Sequence, residues 1–174
     1  MYVIAIEGVV TKYPYTLTDM RLDNPTVSFS DTIPDETAAS FNVFPVVQTP
    51  APSYDSLTQD LIWVNPIYEN GSWVQQWRVD DISNEEAINR LDQKRQGMVV
   101  TPFQAKAALH SAGLLDDVTA LMNDPTTDPL VVLAWNNATE FRRTSSMVET
   151  LATKLNINPN QLDTLFNTAA TITA

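Results

Sequence analysis

The densest periodic signal in this chain lies between Thr101 and Ile172. Apolar residues there recur at helical spacing in five short runs. Phe103, Ala107 and Leu109 mark the first, and Gly113 is its expected C-terminal stop. Leu114 to Met122 forms the second, ended by Asp124-Pro125. Leu130, Leu133, Ala134, Ala138 and Phe141 give the third its stripe. Val148, Leu151 and Leu155 mark the fourth, and Leu162, Leu165, Phe166 and Ala169 the fifth. Start signals agree with these runs. Thr101-Pro102-Phe103-Gln104 combines a cap, a proline at the first helical position and a Gln at the third. Asp128-Pro129, Ser146-Met147-Val148-Glu149 and Asn158-Pro159-Asn160-Gln161 use the same grammar.

Upstream the period changes to two. Tyr2 to Ile6 and Val9 to Thr11 are rich in branched and aromatic residues and read as strands on either side of Gly8. Tyr13-Pro14-Tyr15 does not fit a central strand, because proline lacks the ladder donor. Asn24-Pro25, Ile33-Pro34 and Phe44-Pro45 predict extended or turning backbone, and Thr49 to Pro52 a Pro-rich connection. Leu61 to Tyr68 and Trp73 to Val79 flank Asn70-Gly71, the pair favoured where both central turn residues need positive φ, and predict a hairpin. In its second arm Trp73, Gln75, Trp77 and Val79 share one face, which is broad and aromatic. Ser83-Asn84-Glu85-Glu86 opens a polar helix reaching about Gln96, with Ile82 as a staple, Ile88 and Leu91 as its apolar marks and Gly97 as its end.

These patterns predict an α+β chain in three parts. An irregular, Pro-rich β domain with a hairpin occupies 1–82, a connecting helix 83–97, and a small all-α bundle of about five short helices 98–174. Charge divides similarly: residues 1–82 carry 3 basic and 11 acidic side chains, a net −8, and residues 83–174 carry 7 and 10, a net −3. The total of −11 argues against nucleic acid, whose phosphates need Lys and Arg, and against anionic membrane surfaces. The absence of cysteine removes disulfides and thiolate metal sites. No run is long enough for a membrane span, and Glu7 interrupts the apolar start, so no secretory signal is expected.

Candidate chemistry is sparse. His110, the only histidine, has no orienting carboxylate in its pattern and reads as a residue meeting a helix C-terminus. Asp116-Asp117 and Glu85-Glu86 diverge as helix neighbours and read as first-turn charges. The turn from Asp124 to Asp128 lacks the central Gly and the terminal Glu of a calcium loop and reads as a solvated turn. Arg142-Arg143 is expected to complete a helix dipole and pair with Glu140 or Glu149. Four glycines do not make a phosphate-cradling loop. The expectation is therefore no enzyme, no cofactor and no metal. Trp63, Trp73 and Trp77 are the unusual residues. Three tryptophans in one small hairpin are open to two readings, core packing and a partner-binding surface.

The order of motifs carries a resemblance. Lys12-Tyr13-Pro14-Tyr15, Asp23-Asn24-Pro25-Thr26-Val27-Ser28-Phe29, Val43-Phe44-Pro45-Val46 and Gly71-Ser72-Trp73-Val74-Gln75-Gln76-Trp77 form one series. Phe103-Gln104-Ala105-Lys106-Ala107-Ala108-Leu109, Gly113-Leu114-Leu115, Ala134-Trp135, Glu140-Phe141-Arg142-Arg143 and Leu162-Asp163-Thr164-Leu165-Phe166 form another. Together they resemble the tail-fibre assembly proteins of tailed bacteriophages, small proteins often encoded beside the fibre gene. The resemblance covers most of the chain and implies a non-enzymatic protein that binds the distal part of a trimeric tail fibre. It implies work in the host cytoplasm during phage assembly, or retention on the virion tail. The alternative is a permanent structural component of tail, fibre or baseplate. It carries over no catalytic residue.

Overall fold

The computed structural model describes residues 1–173, which fall into two compact units, the first Met1–Asn84 and the second from Glu85 onward. The first is built on a five-stranded sheet: β1 (Tyr2–Ile6), β2 (Val9–Tyr15), β3 (Val43–Val47), β4 (Gln59–Glu69) and β5 (Ser72–Asp81). Its strand order is β2-β1-β3-β5-β4, antiparallel except where β3 meets β5 in parallel. The two outer strands approach each other, so the sheet is nearly closed into a barrel.

Two hairpin turns shape this unit. Asn70 and Gly71 have φ of 50° and 84° between the pair Glu69↔Ser72, the two-residue turn expected from their sequence. Glu7 and Gly8, at 52° and 80°, make the same turn between Ile6 and Val9. In both, glycine takes the second left-handed position, where a side chain is disfavoured. Prolines sit where a ladder tolerates them. Pro14 lies on the edge strand β2 at a register shift, and Pro66 lies in the Val64/Ile67 shift of β4. The β2 shift has a packing consequence. Tyr2 pairs with Tyr15 and Ile4 with Lys12, so Val3 faces both Tyr13 and Pro14. Tyr13 thereby joins one face of the sheet and Tyr15 the other, which strict alternation would forbid.

Each face has its own core. Val3, Ala5, Val46 and Trp73 fill the concave side, flanked by Val10, Tyr13 and Phe44. The outer side is covered by two helices, α1 (Leu17–Asp23) and α2 (Asp35–Ala39). There Tyr15, Met20, Ile33, Ala38 and Val43 are buried together, with Phe29 meeting Phe41 edge-on at 5.4 Å. Thr16 caps α1 in a full capping box with Asp19. The Tyr15 hydroxyl donates to Asp23 at 2.9 Å, beside Lys12 at 3.1 Å from the same oxygen. Burial, the hydrogen bond to Asp23 and that residue's charge push the Tyr15 phenol up to about 12 from 10.0. A raised folded pKa stabilises below the unfolded value and is lost as pH rises through the folded one. Melts between pH 10 and 12 should therefore show a larger loss of stability in the native protein than in Tyr15→Phe, where buried Tyr13 still contributes, and the last phenolate to appear by ultraviolet absorbance should vanish in that variant. An equal loss in both proteins would assign the transition elsewhere.

The second unit holds α3 (Asn84–Gln96), β6 (Val99–Val100), α4 (Pro102–Ser111), α5 (Leu115–Asn123), α6 (Pro129–Asn137), β7 (Phe141–Arg142), α7 (Ser146–Lys154) and α8 (Pro159–Ala170). Thr101 and Asn158 form capping boxes with Gln104 and Gln161, and Asp128 and Ser145 cap α6 and α7. The α7 cap is thus one residue earlier than the sequence suggested. Gly113, at φ 70°, closes α4. Its N–H reaches His110 and that of Leu114 reaches Leu109, the paired bonds of a Schellman stop. Asn156, at 55°, closes α7 the same way. Val100, Ala108, Phe141, Val148, Ala152, Leu162, Phe166 and Ala169 form the core around a small apolar cavity of about 70 Å³. Trp135 stacks on Phe141 at 5.1 Å.

The expected architecture needs correction. The chain is mixed α/β, with eight helices spread through both units among the described residues, not a β domain followed by an all-α bundle. Helices α1 and α2 lie inside the first unit. The capping box Thr16-Leu17-Thr18-Asp19 that starts α1 uses an aspartate where Glu or Gln is usual, and nearby prolines hid it. The second unit is not all-α, because Phe141 and Arg142 leave the helix and pair with Val100 and Val99. Ala138 is extended at φ −63°, ψ 138°, which ends α6 four residues before the predicted stripe does. That stripe is also out of phase: Val131 is buried, while Leu130 and Leu133 are 71% and 59% exposed. Helix α6 is apolar nearly all round, so its sequence alone does not select the inward face.

Candidate functional site

The β4–β5 hairpin arises from its turn. With Glu69 opposite Ser72, counting along the arms sets Tyr68 against Trp73, and the one-residue register shift between Val64 and Ile67 then sets Trp63, in place of Val64, against Trp77. All four side chains lie on the concave face, but they do not share one environment. Trp73 is 6% exposed and packs with Val3, Ala5 and Val46. Trp63 is 45% exposed, and its ring meets that of half-buried Trp77 edge-on at 5.8 Å. The structure brings Trp63 and Trp77 together and takes Trp73 into the interior.

Each aromatic has a second partner. The Trp77 indole N–H donates to Thr49, to its carbonyl at 3.2 Å and its hydroxyl at 3.1 Å. Tyr68, 63% exposed, lies 5.4 Å from Trp73. Tyr68, Trp73, Val47, Phe44 and Ala5 line a cleft of about 460 Å³, rimmed by Glu7, Asn42 and Ser72. Between Trp73 and Trp77, Gln75 is 1% exposed, and neither end of its amide has a hydrogen-bond partner among the described residues. The Tyr13 hydroxyl is in the same state, and burial raises its pKa. Such groups cost free energy wherever they stay unpaired.

Tyr68 and Thr49 did not stand out in the sequence. Tyr68 was within reach, since the Asn70-Gly71 turn sets its register against Trp73. Thr49 carries no local signal, because its role depends on where the chain leaves β3.

The other residues weighed for chemistry take structural places. His110 is exposed in the last turn of α4. Asp116 and Asp117 lie in the first turn of α5. Asp124 accepts the Thr126 N–H and hydroxyl, both at 2.7 Å, and these bonds hold its carboxyl below the usual range. Arg142 pairs with Glu140 at 2.5 Å. Arg143 pairs not with Glu140 or Glu149 but with Asp163, at 2.6 Å, and Arg95 of α3 grips the same carboxylate at 2.7 Å. Burial alone would raise the Asp163 pKa, but hydrogen bonds from Arg95 and Arg143, with their charges, hold it below the ordinary value. No group of three or more His, Cys, Asp or Glu among the described residues is arranged to hold a metal ion. None of the described helices is long and apolar enough to cross a membrane.

No family model, curated protein or solved structure matches this chain.

Proposed function

We propose that the chain is a non-enzymatic binding protein that acts as a tail-fibre assembly chaperone or accessory in a tailed bacteriophage. It promotes folding, trimerisation or attachment of the fibre. The series of motifs from Lys12 to Phe166 supports the phage reading. The observation that carries a binding role is Trp63, 45% exposed and set edge-on against Trp77. A rigid aromatic pair at the surface offers large contact area at low conformational cost. Unassembled fibre chains expose strand edges and apolar patches that such a surface would cover.

The test is Trp63→Ala, with capture of the fibre protein encoded beside this gene. An exposed indole contributes little to the core, so the melting temperature should stay close to that of the native protein. Truncating a hot spot costs about 2 kcal/mol of binding, so fibre affinity should fall about thirtyfold. Unchanged capture by Trp63→Ala would remove this surface from the reading. Purified virions separate the chaperone from a permanent tail component, which would be present in stoichiometric amount.

A further inference from the structure

Strand β5 has two edges, and only one is fully used. On one side β4 pairs along its whole length, from Glu69↔Ser72 to Gln59↔Asp81. On the other, β3 pairs at Val46↔Trp73 and Val47↔Val74 and then ends. Beyond Val74, no strand of the described residues lies on that side.

The turn determines where the backbone groups point. In a two-residue hairpin the residues flanking the turn bond to each other, and the direction then alternates. Ser72, Val74, Gln76, Arg78 and Asp80 therefore direct their N–H and C=O groups to β4. Gln75, Trp77, Val79 and Asp81 direct theirs to the other edge. The Gln75 carbonyl confirms the phase, because it accepts the Thr49 hydroxyl at 3.1 Å.

The chain leaving β3 does not continue the ladder. It must travel from the level of Val74 to that of Asp81, where β4 begins on the opposite side. Thr49 bonds to β5 at Gln75 and Trp77, and an exposed strap leads from it to the start of β4. The strap is tied at Thr49, and at its far end the Ile82 N–H reaches the Thr58 carbonyl at 3.0 Å. Pro50 and Pro52 have no N–H to donate, and residues 50–56 are exposed.

We infer that the outer edge of β5 between Trp77 and Asp81 is a strand-addition site for an extended, basic segment of another polypeptide. Only a strand offers the alternating donors and acceptors that match Trp77, Val79 and Asp81. The Trp63–Trp77 pair gives an apolar residue of that segment a seat at one end. Asp55, Asp80 and Asp81 lie toward the other, where Asp80 pairs with Arg78 at 2.7 Å and Asp81 accepts the Gln59 amide at 2.9 Å, which leaves that end net negative. The incoming segment is therefore expected to carry Lys or Arg there. The inference deepens the fibre reading and rests on it only for the partner's identity.

Hydrogen exchange on the full chain tests it, with a short peptide alternating valine and lysine as probe. Exchange at the Trp77, Val79 and Asp81 amides should slow at least about tenfold with the peptide. It should not slow with the same peptide N-methylated on alternate residues. Unchanged exchange at these amides, or equal slowing by the N-methylated peptide, would overturn the inference. So would slowing that appears without peptide as protein concentration rises, since the occupant would then be a second copy. Val79→Pro removes one outward donor while leaving the β4 ladder, and should lose the peptide effect with its melt retained. If that variant does not fold, the N-methylated comparison on the unmodified protein still decides. The fibre protein forms a separate arm. Fibre binding without slowing at these amides would sink the edge and spare the fibre reading. Slowing by the peptide with no fibre binding would do the reverse.

Discussion

Asp163→Ala should destabilise the protein by about 3–5 kcal/mol, the usual cost of breaking a buried ion pair by removing one partner. Arg143 is 4% exposed, and among the described residues its guanidinium reaches, apart from Asp163, only the Pro159 carbonyl, at 3.4 Å. Arg95 binds the same carboxylate through both Nε and Nη2. Without Asp163, two positive charges would face each other in a largely enclosed place. Asp163→Asn keeps the shape and should lose most of the same stability, which separates charge from packing. The pH dependence follows from the depressed carboxyl. A group whose folded pKa is lowered stabilises above its unfolded value, here 3.8, and that contribution is lost as pH falls through the folded pKa. Acid melts below pH 3.8 should weaken the native protein more than Asp163→Asn. A cost under about 1 kcal/mol by denaturant titration would mean the arginines reach water unaided.

Trp73→Ala should cost a similar amount, about 3–5 kcal/mol, through lost transfer free energy and the cavity left behind. Trp73 is where β3 and β5 are joined, since Val46↔Trp73 is one of their two register pairs, and it shares a buried cluster with Val3 and Ala5 of β1, on the far side of β3. The contrast with Trp63→Ala is the informative part. Residues in one hairpin, chemically identical, should differ several-fold in their effect on the urea midpoint. Equal and small losses would show that the concave core closes without Trp73.

That contrast also marks where sequence reading stops. The hairpin was legible because Asn70-Gly71 fixes turn type and register together, and from them the shared face of Trp73 and Trp77. Which members of that face are buried was not legible. Burial depends on β1 and β3 arriving from distant sequence to cover Trp73 but not Trp63. Helix starts at Thr101, Asp128 and Asn158 were legible because a cap is a local hydrogen bond. The strand Phe141–Arg142 was not, since it exists only through Val99–Val100, some forty residues earlier. The Arg95–Asp163–Arg143 cluster joins three separate elements, and no spacing along the chain announces it. The tail-fibre reading is of another kind, resting on motif order and not on geometry.

The strap that follows β3 has a consequence for the protein's own solubility. A nearly closed barrel leaves little backbone to template aggregation, and the stretch from Trp77 to Asp81 is part of what remains. Copies crowded together during synthesis would meet first along that stretch. Pro50 and Pro52 cannot extend a ladder to a neighbour, and a second copy would bring its own Asp55, Asp80 and Asp81 to an end of the strand that is already acidic. The chain thus discriminates against itself by charge and by missing donors, while leaving the same backbone open to a strand of opposite charge.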